Sequence, residues 1–273
     1  MKKLPLPPSI QELWTVWREI EGNAIRPCLV NLISAPGEYA DRFTKSLLQD
    51  SAYSELVSLV EPTAEDGKGA DLNILLLDGE TSSEAFPVAR TMPRENLVAI
   101  LIGVQSHLAV TCQREVMQAF DLRAEQVLLM PSPDEVATLA KRLFNLFPDL
   151  TIPMARQFPV FRDAAAWEEV EATSKQNAVV GLIPIPGGDM PVMIANQLKM
   201  ILRIAAMYDL PMTKDRIKEI LAVVGIGFGF RTTARQLVKF IPGPGWIVGG
   251  SIGYTGTLAM GKAAIEYFVR VTK

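Results

Sequence analysis

NLISAPGEYADRFTKSLL, residues 31–48, decides how the first half of the chain is read. An apolar run, Leu29 to Ile33, enters a turn of small residues, Ser34-Ala35-Pro36-Gly37. A helical pattern leaves the turn, with Phe43, Leu47 and Leu48 as its apolar positions. Strand, loop and helix in that order make the frame of a phosphate-binding loop. The signature that performs the chemistry, G-x-x-x-x-G-K-[ST], is absent. Aligning Ser34 or Ala35 with its first glycine puts Ala40 or Asp41 where the lysine belongs. An aspartate there repels phosphate, and Lys45 lies about a turn further into the helix. Pro36 and Gly37 are the loop's remaining candidates for a phosphate contact.

Outward from this stretch, strands and helices alternate. Apolar runs at 28–34, 55–60, 72–77, 96–103 and 126–130 predict strands, the later ones uninterrupted as parallel strands covered on both faces require. Helical patterns occupy 110–120 and 134–147, and an amphipathic opening helix carries Leu13, Trp14, Trp17 and Ile20. The alternation predicts a three-layer α/β domain with a mostly parallel sheet over residues 1–150. Ligands of such sheets sit beyond the carboxyl ends of the strands. There Asp78, before Gly79 and Glu80, is a candidate Mg²⁺ ligand, although a lone acid at a strand end reads first as a surface turn.

The order of parts over roughly residues 25–150 resembles the Era-like GTPase domain. In that family the strand matching residues 96–103 exits into Asn-Lys-x-Asp, which reads guanine; here the exit is Gly103-Val104-Gln105-Ser106. The last strand normally exits into a Ser-Ala turn and here meets Pro131-Ser132-Pro133. The resemblance therefore implies a degenerate domain, a pseudo-GTPase without bound cofactor.

Composition narrows the remaining classes. Hydrophobic residues make up 49% and charged residues 21%, which describes an ordered chain. Cys28 and Cys112 lie in apolar segments and read as free thiols, and His107, the single histidine, has no ligand partner at zinc spacing. No metal site is expected, and without a placed histidine no Ser-His-Asp set forms. No basic aromatic groove suggests nucleic acid. The opening MKKLPLPPSI lacks the apolar core of a secretory signal, which predicts a cytosol-facing protein. Residues 1–150 carry 13 Lys and Arg against 21 Asp and Glu, residues 151–273 carry 14 against 9. An acidic half joined to a basic, apolar half suggests two domains in different surroundings, or two halves that attract each other.

The second half, 151–273, reads as all-α and glycine-rich. Helical pattern over 155–182 ends at Ile183-Pro184-Ile185-Pro186-Gly187-Gly188. Asp189 reads as the N-cap of a helix over 191–208 with Pro191 in its first turn. A second break, Ile241-Pro242-Gly243-Pro244-Gly245, precedes a helical stretch over 246–268. Small residues recur every fourth position: Gly225, Gly229 and Thr233, then Gly249, Gly253, Thr257 and Gly261. Interior helical glycine costs about 1 kcal/mol relative to alanine, so such rows mark helices that approach backbone to backbone. Phe240 to Gly261 is 22 residues without charge, but two prolines shorten its helix below the ~20 residues a bilayer core needs. Pro184, Pro186 and Asp189 likewise cut the nearly uncharged stretch from Ala178 to Leu198 in two, which suits a re-entrant hairpin or a buried core.

This half closely resembles the YcjF-like domain, domain of unknown function 697, over about residues 155–270. Pro184, Pro186, Gly187, Asp189 and Pro191 match its first motif, Gln197 and Met200 the helix after it. Arg231, Arg235, Pro242, Gly243, Gly245 and Trp246 match a second motif. The resemblance implies a bacterial protein with no catalytic residue. Arg231 and Arg235 would meet lipid phosphate or a partner, or pair internally with Asp189 or Glu219. Three expectations follow: a scaffold docked to membrane lipid or a hydrophobic protein on the cytoplasmic side of the inner membrane; an active nucleotide switch; or a cytoplasmic helical protein that forms a homo-oligomer.

Overall fold

A computed structural model describes residues 15, 18, 20, 22, 26–64, 69–78, 86–182, 189–210 and 245–272, the side chains of 189–191, 245–249 and 252 excepted. The chain forms two compact units, Arg26–Ala164 and Met1–Ile25 with Ala165–Lys273. The first is built on β1 (Val30–Ile33), β2 (Val57–Val60), β3 (Leu72–Asp78), β4 (Leu97–Ile102) and β5 (Val127–Met130). They pair in the order β2-β1-β3-β4-β5, every pair parallel. Each apolar run singled out in the sequence lies at one of these strands. β1 and β4 are buried along their whole length and β3 up to its last residue, whereas edge strand β2 exposes Leu59 at 70%. The first half is thus a parallel five-stranded α/β sheet, followed by a helical region.

Alternate residues build each face. Leu75, Leu77, Leu97, Ala99, Leu101 and Val127 form one, joined by Val116 and Phe120 of the helix after β4. Ile74, Leu76, Val98, Ile100 and Leu128 are buried on the other. Full burial of one such side chain contributes roughly 1.5–3 kcal/mol, so the sheet's centre dominates the stability of this unit. A polar chain crosses it near the strands' starts. Asn31 Nδ2 donates to Asn73 Oδ1 at 2.9 Å, Asn73 Nδ2 to Asn96 Oδ1 at 3.0 Å, and Asn96 Nδ2 to the Ala70 carbonyl at 2.7 Å. Asn31 and Asn73 are register partners of β1 and β3, so the buried amides satisfy each other only in that register.

The helices around the sheet are α1 (Glu38–Leu47), α2 (Ala109–Phe120), α3 (Ala140–Leu146) and α4 (Thr151–Gln157). The helix expected from 134 is shorter than the pattern suggests. Val136–Leu139 wind as a 3₁₀ turn in which the Thr138 hydroxyl bonds the Glu135 carbonyl, and α-helix begins only at Ala140.

Among the described residues, three long helices belong to the second unit: α5 (Arg162–Leu182), α6 (Asp189–Met207) and α7 (Gly245–Val271). The helical pattern expected over 155–182 is broken at Phe158-Pro159, where an extended residue and a 3₁₀ turn separate α4 from α5. α6 begins at Asp189, the expected cap itself, rather than at 191, and stops at Met207 shortly before Asp209, which lies in the left-handed region. α5 and α6 run antiparallel: Glu169 accepts from Arg203 Nε at 2.8 Å, while Asn177 bonds the Met193 carbonyl and Asn196. Among the described residues no helix is long and apolar enough to cross a membrane.

Candidate functional site

Strand order places the sheet's switch point between β1 and β3, whose connections leave to opposite sides. That is where a doubly wound sheet of order 2-1-3-4-5 holds its ligand. A pocket of about 70 Å³ lies there, lined by Ser34 to Gly37, Tyr39, Ala40, Asp78 at the end of β3, Phe86 and Ile102. Pro36, Gly37 and Asp78, the residues the sequence offered, therefore meet in one place. Small-molecule pockets usually enclose roughly 300–1,000 Å³, several times this volume.

Charge is arranged against a phosphate. α1 opens with Glu38 and Asp41 in its first turn, where a phosphate would need free backbone N–H groups and a cation. A carboxylate about 6 Å from a phosphate charge costs roughly 0.7 kcal/mol in water-like surroundings and about 3 at an effective dielectric of 20. The cation that follows this turn is engaged elsewhere. Arg42 donates from Nε to Asp134 at 3.3 Å, also reaches Asp134 through Nη2, and bonds Glu38 at 3.2 Å. That hydrogen bonding holds the Asp134 carboxyl below its usual value of 3.8, with the nearby Lys45 charge acting in the same direction. Arg42 thus serves the acid that follows β5. The Ser34 hydroxyl bonds the Ala35 carbonyl within the loop. At the exit of β4, Gly103 holds φ +67°, and a Cβ there would lie 3.7 Å from the Tyr39 hydroxyl and 3.9 Å from its ring. Tyr39 stands over the exit from which a base-reading segment would have to act.

The helical unit has a polar centre that pattern reading passed over. Thr257 of α7 accepts from Asn177 Nδ2 at 2.9 Å and Gln197 Nε2 at 2.7 Å and donates to the Gly253 carbonyl at 2.7 Å. Asn177, Gln197 and Thr257 are each at most 1% exposed, and Asn196 closes the cluster on Asn177 Oδ1 at 2.9 Å. Gln197 was singled out as a motif residue, and this is its setting; Met200, singled out with it, is fully buried in α6. Around the cluster the helices nearly touch. A Cβ on Gly253 would lie 2.4 Å from the Asn177 carbonyl oxygen, and one on Gly261 2.4 Å from Val170 Cγ2. The small residues of α7 therefore face α5. A single asparagine mid-helix, spaced from a threonine in the glycine row, was the available signal.

Gly245, Trp246 and Gly249 belong to α7, and Asp189 and Pro191 to the first turn of α6, with side chains outside the described residues. Pro184, Pro186, Gly187, Gly225, Gly229, Arg231, Arg235, Pro242 and Gly243 lie outside them altogether, as does the expected pairing of the two arginines. Among the described residues no three His, Cys, Asp or Glu side chains converge as a metal site would need.

The arrangement is that of a switch-point α/β unit whose first helix opens with two acids, followed by a glycine-packed helical region. Residues 151–241 match the family described as a domain of unknown function (DUF697). A curated relative, "Magnetosome membrane protein 22" of Magnetospirillum gryphiswaldense, is 27% identical over 118 residues, 40% of this chain. The chain spans 60% of that relative's length. No solved structure matches significantly.

Proposed function

We propose that this is a non-catalytic docking protein. Its α/β unit is a scaffold of GTPase-like descent that grips no triphosphate, and its helical unit holds the chain to the cytoplasmic face of a bacterial inner membrane, peripherally or by re-entrant contact. The observation that carries the first part is the first turn of α1. Two carboxylates stand where phosphate would be received, and Arg42 is bonded to Asp134 and Glu38 instead. Support for the second part comes from the relative named as a membrane protein and from the basic balance of residues 151–273. The reading as an oligomer packed through glycine rows is weakened, because Gly253 and Gly261 are already filled by α5 of the same chain.

Titration of the purified protein with GTP and ATP in the presence of Mg²⁺ tests the scaffold. Silence at millimolar concentration is expected; micromolar affinity returns the protein to the nucleotide switches, with Asp78 as the metal ligand to examine. Flotation of the intact chain with anionic vesicles tests the docking.

A further inference from the structure

The three most exposed of the described large apolar side chains in the helical unit lie at one end of it, whereas Val271, 40% exposed, and Trp167, 37%, lie away from that end. Val179 is 61% exposed, Val192 47% and Leu182 42%, each the kind of side chain that a water-facing surface loses first. The pairings of Glu169 with Arg203 and of Asn177 with Met193 and Asn196 fix the relative height of α5 and α6. By that register Val179 stands level with Val192, at the end where α5 stops and α6 starts. α7 begins at the same end: Gly250 lies against Ala178 and Leu182, and Gly261 against Val170, further from it.

Charge changes at one level behind this end. Lys175, 69% exposed at its side chain, lies four residues back from Val179, and Lys199 lies seven residues on from Val192. The same register places the two lysines within about a turn of each other. Between them the sequence carries a single formal charge, Asp189. At 1.5 Å per residue the lysine backbones lie roughly 6 and 10 Å behind those of the valines. That spacing matches the roughly 5–10 Å to which interfacial helices sink their apolar side chains below the headgroups. Lysine stems reach along such a boundary while the charge stays at the phosphate level. Lys175 also approaches Glu171 at 3.5 Å, an exposed pair on the side away from the tip that an anionic surface easily replaces.

We infer that this end of the α5–α6 hairpin is a lipid-contacting tip: Val179, Leu182 and Val192 enter the acyl boundary of an anionic membrane while Lys175 and Lys199 meet its headgroup phosphates. The inference rests on the docking function proposed above and names the element that performs it. An apolar tip with a cationic collar fits a lipid surface in two respects at once, and a protein groove would require only the first.

The test is flotation of the full chain with vesicles of phosphatidylethanolamine and phosphatidylglycerol, against vesicles of phosphatidylcholine. Wild type is expected to float with the anionic vesicles. V179D/V192D should lose at least about tenfold in partition, and the milder V179S severalfold. K175Q/K199Q should lose on the order of 25-fold at low salt, about fivefold per lysine, and little at high salt. Val110→Asp, at an equally exposed valine of α2, should float like wild type. Thermal melts check that each variant is folded. If wild type floats and V179D/V192D and V179S float equally well, the tip is overturned and the docking function stands. If wild type stays at the bottom of the gradient, the docking function fails and the tip with it.

Discussion

At the scale of single residues, Gly253 shows how two effects of opposite sign are weighed. Replacing an interior helical glycine with alanine favours the helix by about 1 kcal/mol. At Gly253 the added Cβ would stand 2.4 Å from the Asn177 carbonyl oxygen, and backbone cannot swing aside as a side chain can. Overpacking of that kind costs roughly 1–3 kcal/mol, and a backbone obstacle belongs at the upper end, so the clash wins. Gly253→Ala should lower stability by about 1–2 kcal/mol in urea unfolding. Gly37→Ala is the control, since nothing lies within 4 Å of that position and its φ of 167° is extended backbone open to any residue. Cys28 offers a second test at this scale. Burial, reinforced by the Asp71 carboxylate, pushes its thiol up to about 12, against the opposing charge of Arg26. Only the thiolate is nucleophilic, so at pH 8 a disulfide reagent should label Cys112, which is partly exposed, well before Cys28. Equal rates in the native protein would remove Cys28 from the core.

Among elements, the polar centre of the helical unit is where a small change should have a large effect. Thr257→Val keeps the shape but takes away the oxygen that accepts from both Asn177 and Gln197. Removing a buried acceptor costs roughly 1–3 kcal/mol, and Asn177 retains the Met193 carbonyl at 3.3 Å. A loss of about 2 kcal/mol is expected, with Thr257→Ser close to wild type; near-neutral behaviour of Thr257→Val would sink the assignment. The contact between α1 and the segment after β5 is tested by pH. Asp134 is held below 3.8 chiefly by its hydrogen bonds from Arg42. A carboxyl whose value is depressed by folding stabilises the fold above the unfolded value, and that contribution disappears as pH falls through the folded one. A carboxyl titration followed by NMR should therefore find the Asp134 midpoint under 3.8 in the wild type. In Arg42→Gln it should return toward 3.8; an unchanged midpoint would remove Arg42 as its cause. Strands were legible in the sequence because an apolar run between turn residues has few other uses, and β3 and β4 are buried as their runs demand. The chain of amides across Asn31, Asn73 and Asn96 was not legible: asparagines 42 and 23 residues apart become partners only once the register of β1, β3 and β4 exists. The same holds for Asn177 and Thr257, 80 residues apart on helices whose contact a four-residue period announced without saying which faces meet.

At the scale of the whole molecule, the chain carries its own pair of reporters. Trp167 lies in α5 of the helical unit, and residues 26–164 of the α/β unit contain no tryptophan. Cys28, buried in the α/β unit, reports that unit through its reactivity. Tryptophan emission and trapping of the Cys28 thiol therefore follow different parts of one chain. Two compact units argue for two transitions, for which a single free energy of unfolding is not defined. Thr257→Val should move the emission midpoint in urea by about 1 M, taking ~2 kcal/mol over a slope of roughly 2 kcal/mol per molar. The Cys28 trapping curve should stay in place, because substitutions remote from a unit add nothing to its unfolding. Should both curves move together, the helical unit and the sheet unfold as one body. A docking contact made by the helical unit would then act directly on the stability of the switch-point loop, and vesicles would slow the labelling of Cys28. With separate transitions, vesicles protect the tryptophan signal and leave the thiol's exposure unchanged, which is the outcome expected of a scaffold carried by its docking unit.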